Sequence, residues 1–277
     1  VFTNSHVKQI IKIKDGFNLL VNGNNFFKTK KIMICTGGHP SGRKLAKSLG
    51  HSIIQPVPSL FSFSTSENPL KACSGITLNV HIKLTVNKKK YTESGSILIT
   101  HKGFSGPVIL RLSAFSARNL HANKYHGELR INWLCMNEHE SRLKLDLYKL
   151  ENGKKLVLNN KPFDKLPKSL WRALLSSLNF DNELKWSDIS KSDKEALLKC
   201  LIMNNYLINS RGPYGEEFVT AGGVSLNEIN FKTMESKICE GLFFAGEVLD
   251  IDGVTGGFNF QHCWTSGWVA GKSVVLK

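Results

Sequence analysis

The chain has 277 residues, 41% of them hydrophobic and 21% charged, a soluble globular profile long enough for one large or two smaller cores. No apolar run approaches the roughly 18–20 residues of a membrane span. Six cysteines lie scattered without a C-x-x-C, which argues against a disulfide framework or zinc site and favours a reducing, intracellular compartment (a plastid if the chain is from a plant). The net charge of +15 is uneven: residues 1–57 carry 9 basic and 1 acidic side chains, 58–135 carry 10 and 3, 136–202 carry 13 and 10, and 203–277 carry 5 and 8. Such a balance suits an anionic ligand, nucleic acid or an acidic surface, and equally mere solubility. The chain opens Val1-Phe2-Thr3-Asn4, with neither an initiator Met nor a signal-peptide pattern, and is expected to start inside a larger protein.

In chain order, residues 1–38 read as strands. His6 to Ile13 alternates, Asp15-Gly16 is a tight hairpin turn, Phe17 to Val21 returns, and Phe26-Phe27 begins a third strand. Lys31 to Cys35 is a short apolar run, as expected of a strand buried on both faces, and it ends in Thr36-Gly37-Gly38. Ser41 to Gly50 is helical, and Pro56 and Pro58 are expected to break regular structure at a domain crossing. Short strands follow at Leu60–Phe63, Ile76–Thr85 and Ser96–Thr100, with Lys88-Lys89-Lys90 at a hairpin tip. Pro107 fits the first position of a helix running to about Leu120, and Leu129 to Leu134 is another strand.

Residues 138–200 are charge-rich and amphipathic, with helices expected around 138–147, 169–178 and 193–201. Strands return at 206–209, 218–224 and 233–237. The last stretch, Gly241-Leu-Phe-Phe-Ala-Gly-Glu247, continues through Val254-Thr-Gly-Gly-Phe-Asn259 into apolar residues at helical spacing. A strand, a glycine loop and a helix in that order bring backbone amides and a helix N-terminus onto a ligand. Glu247 is the sharpest residue, since a carboxylate at a strand end accepts hydrogen bonds from sugar-like hydroxyls. Asp250 and Asp252 read more as turn residues. Trp264 and Trp268 are expected in the core, with Gly267 and Gly271 allowing close helix–sheet packing. His51, His101 and Ser105 are acid–base candidates that spacing alone does not order, and His121 and His126 make a poor metal pair.

Gly241 to Gln261, together with Val219-Thr-Ala-Gly-Gly-Val224, Thr233 to Lys237, Thr100-His101 with Gly103 and Ser105-Gly106-Pro107, and Leu49-Gly50-His51 with Pro56 to Leu60, resembles the BaiN-like, aminoacetone-oxidase-type FAD-binding protein family from about Val1 to Gly271. The resemblance implies an α/β fold: a doubly wound FAD/NAD(P)-binding domain interrupted by a β-rich domain that carries a helical subdomain. The expected divisions are 1–57 and 239–277 for the FAD-binding domain, 58–135 and 203–238 for the β-rich domain, and 136–202 for the helical insertion.

The same resemblance implies FAD as cofactor, with NAD(P)H a candidate electron donor. Val7 would offer its backbone to the adenine, Thr36, Gly37 and Gly38 would lie near the pyrophosphate, and Gly246, Glu247 and Asp252 would line the cradle. Gly256, Gly257, Phe258, Asn259 and Phe260 would lie along the isoalloxazine. No G-x-G-x-x-G occurs in the 277 residues, although the family opens with one. The fold is therefore expected to be incomplete, and the chain alone to bind FAD weakly or not at all. The function expected is an FAD-dependent oxidoreductase of unassigned small-molecule substrate and catalytic residues. The alternative is a degenerate flavoprotein or a non-catalytic basic binding module. Nucleic acid is disfavoured as a partner because the basic residues are not interleaved with aromatics.

Overall fold

The computed structural model describes residues 1–23, 25–212 and 219–276. The chain divides into two compact units, residues 1–59 with 218–277, and residues 60–217.

The first unit opens with an antiparallel meander, β1 (Val7–Ile13), β2 (Gly16–Val21) and β3 (Asn25–Thr29). Gly16 turns the first hairpin at φ +136°, where a Cβ would run into the Thr29 carbonyl, so only glycine fits. Phe17, fully buried, anchors the meander. β4 (Ile32–Ile34) follows, then α1 (Pro40–Ser48). Pro40 sits where a helix does not need its N–H, and the His39 ring accepts from the Ser41 amide. Gly50, at φ +94°, follows its end.

β5 (Ile53–Ser59) contains both Pro56 and Pro58, which were expected to end regular structure. They are tolerated because among the described residues β5 has a single partner strand, leaving an edge on which a missing N–H costs nothing. The unit boundary falls just beyond them.

Among the described residues the second unit is a closed six-stranded barrel with four α-helices. Its elements are β6 (Phe63–Thr65), β7 (Thr77–Val86), β8 (Lys89–Thr100), β9 (Gly103–Ser105), α2 (Pro107–Ala122), β10 (Gly127–Asn132), α3 (Glu138–Asn152), α4 (Lys168–Ser176), α5 (Lys191–Ile202) and β11 (Asn204–Arg211). The barrel order is β10-β11-β6-β9-β8-β7, which leaves no free sheet edge. Asn87 and Lys88, at φ +48° and +68°, turn the β7–β8 hairpin where the lysine run predicts its tip. A reciprocal cap between Asn137 and Glu140 starts α3.

The apolar faces of α3 to α5 join the barrel's own core: Leu145, Leu170, Trp171, Leu174, Leu197 and Leu201 form one cluster with Ile97, Ile99 and Phe104. Burial of each such side chain stabilises by about 1.5–3 kcal/mol. Trp171 and Trp186 stack there, and each indole N–H donates to a backbone carbonyl, that of Val157 at 3.0 Å and that of Asn160 at 2.9 Å.

The first unit is completed by β12 (Val219–Val224), β13 (Ile229–Asn230), β14 (Glu235–Ser236), β15 (Leu242–Phe244) and α6 (Phe258–Leu276). β12 pairs with β5, and a four-stranded sheet runs β13-β14-β15-β4 with β15 and β4 parallel. The 203–238 stretch, expected as one return of the β-rich domain, is thus divided: β11 closes the barrel, whereas β12 to β14 belong to the first unit. The strand expected over 233–237 is reduced to two residues.

Two expectations about burial fail. Met33 on β4 is 39% exposed, because among the described residues β4 pairs only with β15 and forms the sheet's edge. On α6, Ser266 and Ala270 face inward, while Trp264 and Trp268 are 67% and 63% exposed. Gly267 and Gly271 share that outer stripe, and a Cβ on either would meet no atom within 4 Å, so they serve no close packing.

Candidate functional site

Parallel pairing of β4 with β15 carries both strand ends to one edge of the sheet. The Ala245 amide donates to the Ile34 carbonyl at 3.1 Å, and beyond that bond the two chains diverge. One becomes the Thr36-Gly37-Gly38 turn, the other the 3-10 turn Gly246–Val248 that carries Glu247. The turns face each other: a Cβ built on Gly37, at φ +61°, would lie 3.9 Å from Glu247 Oε2. β12 supplies a third wall, since a Cβ on Gly38 would lie 3.3 Å from Thr220 Oγ1. The first turn of α1 closes in behind, where a Cβ on Gly42 would collide with Thr36 Oγ1.

Several contacts hold Glu247, itself half-buried, in place. Val248 and Leu249 are fully buried beneath it. The Gly246 amide donates to Ser266 Oγ at 2.9 Å, and His262 Nε2 lies 3.3 Å from the Gly246 carbonyl. Both side chains come from α6, so that helix is pinned to the turn by polar bonds. The Asp250 amide donates to the Val224 carbonyl at 3.0 Å, tying the turn to β12. Cys263 packs beside Gly246, and burial, then the charge of Glu247, pushes its thiol above the ordinary range. A thiol held protonated is a wall, not a nucleophile.

The loop from 249 to 257 is braced at two points. Ser59 Oγ donates to Asp252 Oδ2 at 2.8 Å. The Asn259 amide group clamps Gly253, accepting from its N–H at 2.7 Å and donating to its carbonyl at 2.9 Å. Asn259 therefore spends its side chain on the loop, and Asp252 engages a strand end. Gly256 and Gly257 have φ +121° and +85°, and around Gly257 a Cβ would meet nothing within 4 Å. The loop backbone is thus open just ahead of the helix, whose first amides have no intrahelical acceptor. Phe258 and Phe260 are exposed, and Phe260 stacks on Trp264 at 6.0 Å. Val7 of β1 pairs with Val21 of β2 and packs half-buried against the unit's core.

The remaining candidates make other contacts. His51 is 3% exposed, with Nδ1 2.8 Å from Glu228 Oε2, Nε2 3.0 Å from Ser236 Oγ, and its ring edge-on to Phe244. Ser236 Oγ also accepts from the amides of Ile238 and Cys239. This is the order Ser, His, Glu of a hydrolase, but His51 and Ser236 are buried and only Glu228 is partly exposed, so the group braces the chain. In the second unit, Ser105 Oγ lies 2.6 Å from Ser62 Oγ, and His101 is exposed on the β8–β9 turn. No group of His, Cys, Asp or Glu able to hold a metal occurs among the described residues, and no helix is long and apolar enough to cross a membrane.

Of the residues singled out from sequence, Thr36 to Gly38, Gly246 and Glu247 converge on one cradle, and the Gly256–Phe260 segment leads from it into α6. Thr220, His262 and Ser266 were missed. Thr220 lies within a segment quoted for the family resemblance, but nothing in its spacing tells that its hydroxyl faces Gly38.

Residues 1–273 match the family model described as the HI0933-like protein Rossmann domain. The chain is 25% identical to the 3-dehydro-bile acid delta(4,6)-reductase of Clostridium scindens, over 99% of this chain and 69% of that protein. It is 30% identical to the ribosomal RNA dihydrouridine synthase of Haemophilus influenzae, over 99% and 68% of the respective chains. To the Escherichia coli ribosomal RNA dihydrouridine synthase it is 29% identical, over 98% and 67%.

Proposed function

The chain belongs to the HI0933-like Rossmann-domain family, and from that premise we propose that it is part of an FAD-dependent reductase that saturates a carbon–carbon double bond conjugated with a carbonyl. The activities for which the relatives are named share this chemistry. A delta(4,6)-reductase acting on a 3-dehydro bile acid removes unsaturation conjugated with a 3-oxo group. A dihydrouridine synthase saturates the uracil double bond next to a ring carbonyl. A steroid and a nucleobase have little else in common.

The observation that carries the reading is the opposition of Gly37 and Glu247 across the ends of two parallel strands. Glycines on one side let a flat or phosphorylated ligand approach the backbone, and a half-buried carboxylate on the other accepts hydrogen bonds from its hydroxyls. FAD would be held by Thr36, Gly37, Gly38, Gly246 and Glu247, with Gly256, Gly257 and Phe258 beside its ring. Bound there, it would supply the hydride to the conjugated bond, with NAD(P)H as the electron donor and solvent as the source of the proton that completes the saturation. The N-terminus of α6 favours negative charge near the loop. Asp252 and Asn259 act on the loop's shape: they hold 252–259 in the conformation that keeps Gly256 and Gly257 open.

Of the two substrate classes, uridine in RNA is favoured by the names of two of the relatives, and the net charge of +15 is compatible with it. This reading stands against the expectation drawn from the absence of an aromatic–basic interleave. The test is to supply FAD, NADPH and uridine-containing RNA and to look by mass spectrometry for nucleosides that have gained two hydrogens. Flavin binding without any such product, and without reduction of a steroid dienone, would overturn the proposal.

A further inference from the structure

Two features of the first unit present surface that nothing among the described residues covers. One is the outer face of α6. Phe260, Trp264 and Trp268 follow one another at four-residue spacing, 68%, 67% and 63% exposed, and Val275 continues their line at 82%. Aromatic rings bury about 150–250 Å² each when packed, so these three leave roughly 300–500 Å² of apolar surface to water. Gly267 and Gly271 lie on the same stripe, where a Cβ would meet no atom within 4 Å. A glycine inside a helix costs about 0.5–1 kcal/mol relative to alanine, and within the chain no contact offsets it. A second helix laid on the stripe would, because glycines let its backbone come close.

The other feature is the outer edge of β4. The Ile32 amide donates to the Gly241 carbonyl at 2.9 Å, and the Ile34 carbonyl accepts from the Ala245 amide at 3.1 Å. Both residues thus turn their main chain towards β15. Main-chain direction alternates along a strand, so the N–H and C=O of Met33 point the other way. Among the described residues no strand pairs with that edge. An open edge of this kind is a template for another strand.

Hydrogen bonds hold the two features in one frame. Lys31, just before β4, donates through Nζ to the Val274 carbonyl at 2.6 Å, and Ser266 Oγ accepts from the Gly246 amide at 2.9 Å. The helix therefore runs back along the β15–β4 pair, from the end of one strand to the start of the other. Size then decides between occupants. A standard interface buries about 800 Å² per partner, and the stripe supplies about half of that. A second copy seated stripe to stripe falls short, whereas a segment that also pairs with β4 does not. The matched region covers 69%, 68% and 67% of the three relatives, so about a third of each lies outside it, ample for such a segment.

We propose that the β4 edge and the α6 stripe form one docking surface for a strand–helix segment. Its strand hydrogen-bonds the main chain of Met33, and its helix covers Trp264 and Trp268 with an apolar face. Because β4 leads directly into the Thr36-Gly37-Gly38 turn, one end of the added strand lies beside the cradle and brings further residues to it. The docking does not depend on which ligand the cradle holds.

The probe is the part of the Haemophilus influenzae relative that lies outside the match, tagged and co-expressed with the 277-residue chain. Light scattering gives the stoichiometry of what co-purifies, and hydrogen exchange read by mass spectrometry compares the chain with and without the probe. A one-to-one complex is expected, with slowed exchange at residues 31–35. Trp264→Ala/Trp268→Ala and Met33→Pro should each weaken it at least tenfold. Leu150→Ala, which removes a leucine 83% exposed on α3, should not. Circular dichroism verifies that the variants fold, and a proline at 33 leaves both bonds to β15 in place. The absence of a complex would overturn the proposal, as would unslowed exchange at 31–35 or a complex that either docking variant forms as tightly as the wild type. A dimer of the chain alone, abolished by the α6 variant, would give the face to a second copy and overturn it too.

Discussion

His51 and Glu228 are 177 residues apart in sequence and 2.8 Å apart in the fold, Nδ1 to Oε2, inside the first unit. The pair joins the end of α1 to the segment before β14, and the Ser52 amide donates to the same carboxylate at 3.0 Å. Burial lowers the His51 pKa, against the opposing pull of Glu228. Burial works to raise the Glu228 carboxyl, but the Ser52 hydroxyl and amide and the His51 ring together hold it below its ordinary value.

Both shifts are downward, so both contribute stability at neutral pH that acid removes. The unfolded chain takes up the His51 proton first, so stability is expected to fall as pH drops below about 6.5. A second loss, from Glu228, follows below about 4.5. Urea midpoints measured from pH 8 to pH 5 report the first step, which His51→Asn should reduce. Glu228→Ala should cost about 1–3 kcal/mol at pH 7, since it strands the imidazole and the Ser52 amide. An unchanged pH profile in His51→Asn would assign the acid loss to other groups.

The outer face of α6 makes a sharp contrast with what its sequence suggests. Trp264 and Trp268 stand in a largely apolar helix, yet both are more than 60% exposed, with Lys272 over the Trp268 ring. Trp264→Ala and Trp268→Ala should each shift the unfolding free energy of the isolated chain by less than about 0.5 kcal/mol. A core tryptophan would cost about 3–5 kcal/mol. Chemical denaturation separates the two outcomes without ambiguity.

Gly223 and Gly257 should behave oppositely on substitution. A Cβ on Gly223 would lie 2.5 Å from the Val248 carbonyl oxygen and 2.5 Å from the Leu249 carbonyl carbon, where β12 passes under the turn that carries Glu247. Gly257 has open space and only its positive φ to oppose a side chain. Gly257→Ala is expected to cost about 1–2 kcal/mol of backbone strain. Gly223→Ala is expected to cost more and to weaken ligand binding at the cradle, because Glu247 must shift with its turn. Paired stability and binding measurements on the two variants check this.

Much of this was legible in the residues, for identifiable reasons. Period-two alternation in 6–21, the Asp15-Gly16 turn, Pro107 at a helix start and the amphipathic segments of 138–202 are local signals, and local structure follows them. Glu247 and the 36–38 turn could be singled out separately, since glycines and a carboxylate at strand ends carry chemical meaning. What could not be read was partnership. Whether β4 is central or at an edge depends on strands far away in sequence, so the exposure of Met33 was unforeseeable. A helix stripe of tryptophans is apolar whether or not anything covers it. Two prolines in β5 read as breakers because the sequence does not say that the strand has one partner. Asn259 and Asp252 look like ligand groups until the fold shows that Gly253 and Ser59 engage them.

Equilibrium titration of the chain with FAD, followed by flavin fluorescence, tests the cradle most directly when wild type is compared with Glu247→Ala. Weak binding by the wild type, weakened roughly tenfold or more by loss of one charged hydrogen-bonding group, is the expected result. Measurable binding of equal affinity in the two proteins would contradict the assignment of Glu247 and the Gly37 turn to the flavin.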